Sequence, residues 1–308
     1  MADMKFTMIP EVWPEVVDSV VAAGHTYTDA LSEAEFLVFN GSTRSFPSPL
    51  PDNIGFVQWP FAGVEALIDE GVMTDEVRWA NAAGTYGTPV AEVALGLLLG
   101  LYHGVKVATK DGCFDRRGDI DAAQQWLFHH KKVLVVGAGG IGAQLIRLLE
   151  PFGCEITAVN RSGRPVAGAV STVPIDDVDA HWAHADVVVL AAPLTDETRG
   201  LVDATVLQAM ARHAVLVNVG RGGLVVTDDL VAALRSGEIA GAAMDVTDPE
   251  PLPAQHPLWA MDNVLITPHI AAPPSVAKLL VADTIIANAA AFAAGERMPT
   301  EVDVRAGY

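Results

Sequence analysis

The stretch from Val133 to Glu150 constrains this chain more than any other. Its apolar run Val133-Leu134-Val135-Val136 reads as a buried parallel strand and leads directly into Gly137-Ala138-Gly139-Gly140-Ile141-Gly142. Glycines at this Gly-x-Gly-x-x-Gly spacing permit a tight turn, close backbone approach to a pyrophosphate, and tight helix-on-strand packing. The helix predicted over residues 141–150 would then turn its free amides and positive dipole end toward the phosphates. Methyltransferase sites and plain tight turns can match the same glycines. The strand before and the helix after favour a nucleotide site.

With 308 residues the chain is long enough for about two domains and a large core. Hydrophobic residues make up 51%, rich in Ala and Val, which predicts a globular fold rather than a disordered one. A formal charge of −19 argues against nucleic-acid and anionic-membrane partners, which attract basic faces. Any anionic ligand must therefore be held by arginines gathered locally. Cys113 and Cys154 form neither a CxxC pair nor a disulfide framework, as expected in a reducing compartment, and each reads as a small hydrophobe or an idle thiol. Glu11, Glu15 and Asp18 come too early for a signal peptide, and the apolar run Val93–Tyr102 is half a membrane span. A cytoplasmic location is the expectation.

From the N-terminus, strands are predicted over 4–9, 36–39, 54–59 and 77–79, and helices over 10–23 and 64–68. Gly24 should stop the first helix. This alternation predicts an α/β layer with a parallel sheet. A long apolar helix is expected from Pro89 to about Ala108, followed by a polar stretch, Thr109 to Lys132, read as a solvated excursion between domains. Trp126, Leu127 and Phe128 within it suggest local packing or contact with a second subunit. Six further strands are expected at 133–136, 155–159, 186–190, 214–219, 239–244 and 264–266, the count of a doubly wound sheet. An Ala-rich helix should run from Ser275, as N-cap, to Ala294, where Gly295 stops it.

The residues after the second strand of this sheet bear on the cofactor. An NAD site places a carboxylate there for the ribose 2′-OH, but the sequence reads Asn160-Arg161-Ser162-Gly163-Arg164. Two guanidiniums, a hydroxyl and an amide suit a 2′-phosphate, which a carboxylate would repel. NADP(H) is therefore preferred over NAD(H). The plainer alternative is an exposed polar turn beside an NAD site.

Three more motifs follow predicted strands: Asn218-Val219-Gly220-Arg221-Gly222-Gly223, Asp245 to Pro253 with Glu250 between prolines, and Thr267-Pro268-His269-Ile270-Ala271. In such sheets ligands sit at the carboxyl ends of the strands, so Arg221, Glu250 and His269 are candidates to converge on one crevice. Taken singly, each also fits a surface charge, a turn acid or a satisfied histidine.

Taken together, these motifs resemble the D-isomer-specific 2-hydroxyacid dehydrogenase family. The resemblance extends to Gln58-x-x-x-Ala62-Gly63-Val64, Val90-Ala91-Glu92, and Ala192-Pro193-Leu194-Thr195-x-x-Thr198-Arg199-Gly200, and so covers nearly the whole chain. It implies an α/β fold of two Rossmann-like or flavodoxin-like domains with parallel sheets. The cofactor domain (101–274) would be inserted into a substrate domain (1–100 and 275–308), with a closing cleft between them and a homodimer formed through the cofactor domain. It implies an enzyme that reduces small 2-oxo acids by hydride transfer. His269 would be the general acid/base, Glu250 would bond its far nitrogen and favour the imidazolium, and Arg221 would grip the substrate carboxylate. Backbone N–H groups of Ala62 and Gly63 would hold the same carboxylate. Asp245 would accept from the nicotinamide carboxamide, with Ala192, Pro193 and Val219 lining the cofactor.

The missing acid after Val159 resembles the NADP-preferring glyoxylate/hydroxypyruvate reductases. An NAD-dependent D-2-hydroxyacid or 3-phosphoglycerate dehydrogenase is the alternative, although the regulatory domain that many phosphoglycerate dehydrogenases carry is not expected here. Formate dehydrogenase matches poorly, because that branch carries Gln where Glu250 stands. A non-catalytic dinucleotide-sensing module is the reading from a different class. His129 and His130 are adjacent rather than at i,i+4 spacing, so no metal site is expected. Substrate-lining candidates are the loop Gly41 to Phe46, including Arg44, and the aromatics Trp59 and Phe61.

Overall fold

The computed structural model describes residues 3–110, 114–128 and 130–307; Cys113 and His129 lie outside them. The chain forms two compact units, one made of Met1–Tyr86 with Ala272–Tyr308 and the other of Gly87–Ala271. By this division the chain crosses between units at 86/87 and 271/272; the resemblance implied crossings near 100 and 275. The apolar helix belongs whole to the second unit. A Cβ at its first residue, Gly87, would lie 2.6 Å from the carbonyl oxygen of Gly140.

In the first unit, strands β1 (Lys5–Ile9), β2 (Thr26–Tyr27), β3 (Phe36–Phe39), β4 (Phe56–Gln58) and β5 (Arg78–Ala80) form a parallel sheet of order β2-β1-β3-β4-β5. That is the flavodoxin-like order. All four residues of β3 are buried, as expected of a central strand covered on both faces. Helix α1 (Pro14–Ala22) begins later than the predicted 10–23, and Gly24 ends it at φ +99°. Helix α2 (Glu65–Asp69) follows β4. The C-terminal helix, Pro274–Ala293, is apolar and long enough to cross a membrane, but it carries a fully buried Asn288 that bonds to Gln58 and Thr300. Its N-cap is Pro273 rather than Ser275, with no side-chain cap bond. Proline at the first helical position lacks the N–H that a serine cap would serve.

In the second unit the predicted 89–108 helix is divided into α3 (Gly87–Tyr102) and α4 (Val105–Lys110), because Gly104 turns the chain at φ +62°. The polar excursion contains α5 (Arg117–Ala123); Leu127 beyond it is buried, while Trp126 and Phe128 stay half-exposed.

The parallel sheet comprises β6 (Lys132–Val136), β7 (Glu155–Asn160), β8 (Ser171–Pro174), β9 (Val187–Leu190), β10 (Val215–Asn218), β11 (Gly241–Met244) and β12 (Val264–Ile266). Helices α6 (Gly140–Leu149), α7 (Ala204–Ala209) and α8 (Thr227–Ser236) lie between strands. The order β12-β11-β10-β9-β6-β7-β8 is Rossmann-like and reverses between β6 and β9. Ligands bind outside the carboxyl ends of strands at such a reversal.

Candidate active site

The reversal point is built by the turn after β6. Gly137 sits at φ +95°, and a Cβ there would lie 2.3 Å from the Ala192 nitrogen after β9, so only glycine fits. The amides of Gly137 and Ala138 donate to the Val159 carbonyl at 3.0 and 2.8 Å, which pins the turn to β7. At Gly139 the requirement is different. A Cβ there would meet nothing within 4 Å, so the space in front of this residue is open. Gly139 is also the N-cap of α6 and supplies no side-chain cap, leaving the first helix amides without an internal acceptor. An open approach to uncapped amides fits a pyrophosphate.

A cavity of about 510 Å³ lies here, and it gathers Gly137, Gly139, Asn160, Arg161, Ser162, Arg164 and Pro193 of the predicted cofactor residues. Gly140, Ile141 and Gly142 form the first turn of α6 beside it. Ala192 and Val219 are buried just behind the edge, the Val219 amide donating to the Leu190 carbonyl at 3.0 Å. Within the polar turn Asn160 acts as a staple. Its Oδ1 accepts the amides of Ser162 (3.1 Å) and Arg164 (3.2 Å), and its Nδ2 donates to the Arg164 carbonyl (2.8 Å). Asn160 thus shapes the loop that carries the two guanidiniums and the hydroxyl.

The three other predicted motifs emerge from adjacent strands, β10, β11 and β12. Asn218 closes the first loop, accepting from the Gly220 amide at 3.1 Å and donating to the Arg221 carbonyl at 2.9 Å. Arg221 is extended, with Nη1 donating to the Gly220 carbonyl at 2.8 Å. A Cβ on Gly222 would fall 2.0 Å from the Thr247 oxygen, so the Arg221 loop rests directly against the loop after β11. That second loop carries Glu250, whose Oε2 accepts the Thr247 amide at 3.3 Å. Its Oε1 lies 2.7 Å from His269 Nδ1. Both side chains are close to half-exposed, at 44% and 49%, and the ring's far nitrogen has no hydrogen-bond partner among the described residues.

Asp245 is buried, and its carboxylate already holds three donors of the His269 loop. Oδ1 accepts the Thr267 hydroxyl (2.6 Å) and the Ile270 amide (2.9 Å), and Oδ2 accepts the Ala271 amide (3.0 Å). Thr267, Asn160's turn bonds and Asn218 were not anticipated as site-shaping groups. The signal that could have found them is a polar residue at or just past the last position of an apolar strand.

Ala62 and Gly63 belong to the first unit, where they follow β4, Ala62 being exposed and Gly63 half-buried. Of the suggested lining residues, Phe46 packs inward, its ring centroid 5.0 Å from Phe39 and 5.4 Å from Trp79. Trp59 lies between Phe39 and Phe61, its ring centroid 6.0 Å from the first, tilted against it, and 5.1 Å from the second, edge-on to it.

Residues 95–271 match the family model described as D-isomer specific 2-hydroxyacid dehydrogenase, NAD binding domain. An uncharacterised protein of Corynebacterium melassecola is 48% identical over 99% of this chain and 100% of its own. The glyoxylate reductase/hydroxypyruvate reductase of Homo sapiens is 31% identical over 81% of this chain and 77% of its own. Among solved structures, a D-isomer specific 2-hydroxyacid dehydrogenase of Xanthobacter autotrophicus Py2, in complex with NADPH and MES, superposes with a TM-score of 0.82 at 28% identity and full coverage of both chains. A nicotinamide dinucleotide cofactor and a small-molecule substrate follow from this kinship, and the cradle after β6 fits the former. The chain belongs to the D-isomer-specific 2-hydroxyacid dehydrogenase family of NAD(P)-dependent oxidoreductases.

Proposed function

We propose that this protein reduces small 2-oxo acids of the glyoxylate and hydroxypyruvate kind to D-2-hydroxy acids, with NADPH preferred over NADH. The observation that carries the reading is the Glu250–His269 pair at 2.7 Å, on strand ends adjoining the Arg221 loop. When bound, the nicotinamide supplies the hydride. His269 gives a proton from Nε2 to the substrate's carbonyl oxygen, and in reverse takes it from the hydroxyl. Glu250, on Nδ1, fixes the ring's orientation and tautomer. Arg221 is a donor for the carboxylate and stabilises charge developing on the carbonyl oxygen, and the backbone amides of Ala62 and Gly63 in the first unit are carboxylate donors.

The preference for NADPH rests on Arg161, Ser162 and Arg164 standing where an NAD site keeps a carboxylate. The glyoxylate and hydroxypyruvate reductase activity of the human relative and the NADPH bound in the Xanthobacter structure support the two halves of the reading. The exposed Trp126 and Phe128 are candidate contacts for a homodimer, and a cytoplasmic location belongs to the same proposal. The deciding experiment is NADPH oxidation with glyoxylate, hydroxypyruvate, pyruvate and phenylpyruvate, with chiral analysis of the product. Turnover giving the D product is expected. No turnover with any of them, together with no NADPH binding, would discard the reading. A higher kcat/KM with NADH would reassign the cofactor.

A further inference from the structure

In the first unit five successive backbone carbonyls after β4 are all engaged. Trp59 O accepts from the Gln58 side-chain amide (3.0 Å), Pro60 O from the Tyr86 hydroxyl, and Phe61 O from the Ala82 amide (2.9 Å). Ala62 O accepts from Asn81 Nδ2 (2.8 Å) and Gly63 O from the Trp59 indole N–H (2.7 Å). By contrast, the N–H groups of Ala62, Gly63 and Val64 have no hydrogen-bond partner among the described residues. At Ala62 and Gly63 the segment is polarised: the carbonyls are spent on the protein and the amides are left over.

The groups that hold it are themselves held. Gln58 Nε2 also donates to Asn81 O at 2.8 Å, and its Oε1 accepts from Asn288 Nδ2 at 2.7 Å. Thr300 Oγ1 donates to Asn81 O at 2.6 Å, and the Asn81 amide donates back to Thr300 O at 3.0 Å. Gln58 and Asn288 are fully buried and Asn81 nearly so. Buried amides stabilise less than apolar side chains of the same volume unless every polar atom is paired. Joining β4 to β5 and the C-terminal helix does not by itself call for amides, since apolar side chains would do it. What amides and a phenol add is fixed placement of particular carbonyls.

We propose that Asn81 and Tyr86, backed by Gln58, are positioning residues for the substrate. They lock residues 59–63 so that the amides of Ala62 and Gly63 stand ready as carboxylate donors before any ligand arrives. Trp59 belongs to the same device, as a staple through its indole N–H. The inference rests on the role proposed above for Ala62 and Gly63. Neither Asn81 nor Tyr86 touches the substrate; both act through the backbone.

The test uses oxalate, a dicarboxylate without a reducible ketone, titrated calorimetrically into the full-length protein with and without NADP. Tyr86→Phe removes one hydroxyl at constant shape, and Asn81→Ala removes the donor to Ala62. Oxalate Kd is expected to rise about fivefold in Tyr86→Phe and about tenfold or more in Asn81→Ala, as for loss of one ordering hydrogen bond. KM for the 2-oxo acid should rise in parallel, while kcat and NADP Kd stay within about twofold, a split that general loosening of the fold would not produce. If Asn81→Ala fails to fold, Tyr86→Phe decides alone. An unchanged oxalate Kd in Tyr86→Phe, or no oxalate binding by the wild type, overturns the inference. Wild-type oxalate binding without reduction of any 2-oxo acid overturns the proposed function and leaves the positioning role standing.

Discussion

Asp245 holds His269 in a backbone conformation that an L-residue rarely takes. His269 sits at φ +52°, its amide donating to the Asp245 carbonyl at 2.8 Å, while the Asp245 carboxylate takes the amides of the next two residues. A non-glycine residue in the left-handed region costs about 1 kcal/mol or more, and the surroundings must over-determine it. Asp245→Asn keeps the shape but sets an NH2 against an amide donor. The variant is expected to lose about 1–3 kcal/mol of stability and to lower kcat more than tenfold. Urea melts and initial rates check this; wild-type values in both would show that the loop keeps its conformation unaided.

The 2.7 Å contact between Glu250 and His269 predicts a shared effect on turnover with little effect on the cofactor. His269→Ala should reduce kcat by about 10² or more, the usual share of a positioned general acid. NADPH affinity should stay within about twofold, since the role proposed for the ring is toward the substrate and not the cofactor. Glu250→Gln should lower kcat by a smaller factor. An unaltered kcat in His269→Ala would remove the histidine from the reaction.

The turn after β7 predicts cofactor selectivity. Arg161→Ala should weaken NADPH by about ten- to a hundredfold, the range for a charge-assisted hydrogen bond, and leave NADH nearly unchanged. Asn160→Ala removes the Asx staple and should weaken NADPH by a smaller factor, through disorder of the turn. Fluorescence titration with both dinucleotides measures each. Equal losses for the two would rule out a phosphate contact.

His25 predicts how the first unit responds to acid. Its ring is buried edge-on against Phe36, with both nitrogens unpartnered among the described residues. Burial pushes its pKa below the ordinary 6.5, and the Asp3 and Glu35 carboxylates only partly oppose this. The unfolded chain therefore takes the proton first, near pH 6.5, and in the window just below that value it binds more protons than the folded state. The contribution to stability is complete above the unfolded pKa and is lost as pH falls toward the folded one. His25→Leu should flatten this slope, narrowing the Tm difference between about pH 7.5 and pH 5.5. Parallel Tm profiles for the two proteins would exclude His25 as the cause.

Much of this was legible in the sequence because the decisive elements obey local rules. Val187–Leu190 and Val133–Val136 are apolar runs that only doubly covered strands accommodate, and Gly137 is fixed by a steric demand that its spacing announces. The polar turn at 160–164 could be singled out because one expected carboxylate is missing, and the structure places it along the cavity after β6. Elements whose stability is borrowed from neighbours were not readable. Thr26–Tyr27 is two residues long, and Ser171–Pro174 is a half-exposed edge strand ending in proline, so neither gives a periodic signal. The helix break at Gly104 and the proline cap at 273 are choices made by packing. At the site, Arg221, Glu250 and His269 could be picked out by type, but the work of Asp245 on the His269 loop could not, because a carboxylate's partners there are backbone amides. The ties from Asn81 to Thr300 and from Gln58 to Asn288 join residues more than 200 positions apart, beyond the reach of any local pattern.

The insertion of one unit within the other sets an order for biogenesis. The second unit is continuous from Gly87 to Ala271, whereas the first needs residues from 272 onward to supply its C-terminal helix and Thr300. On the ribosome, where domains fold as their sequence emerges, the portion translated first is the portion finished last. Until that last segment emerges, Gln58 and Asn81 wait without Asn288 and Thr300, so the second unit is predicted to complete its core before the first.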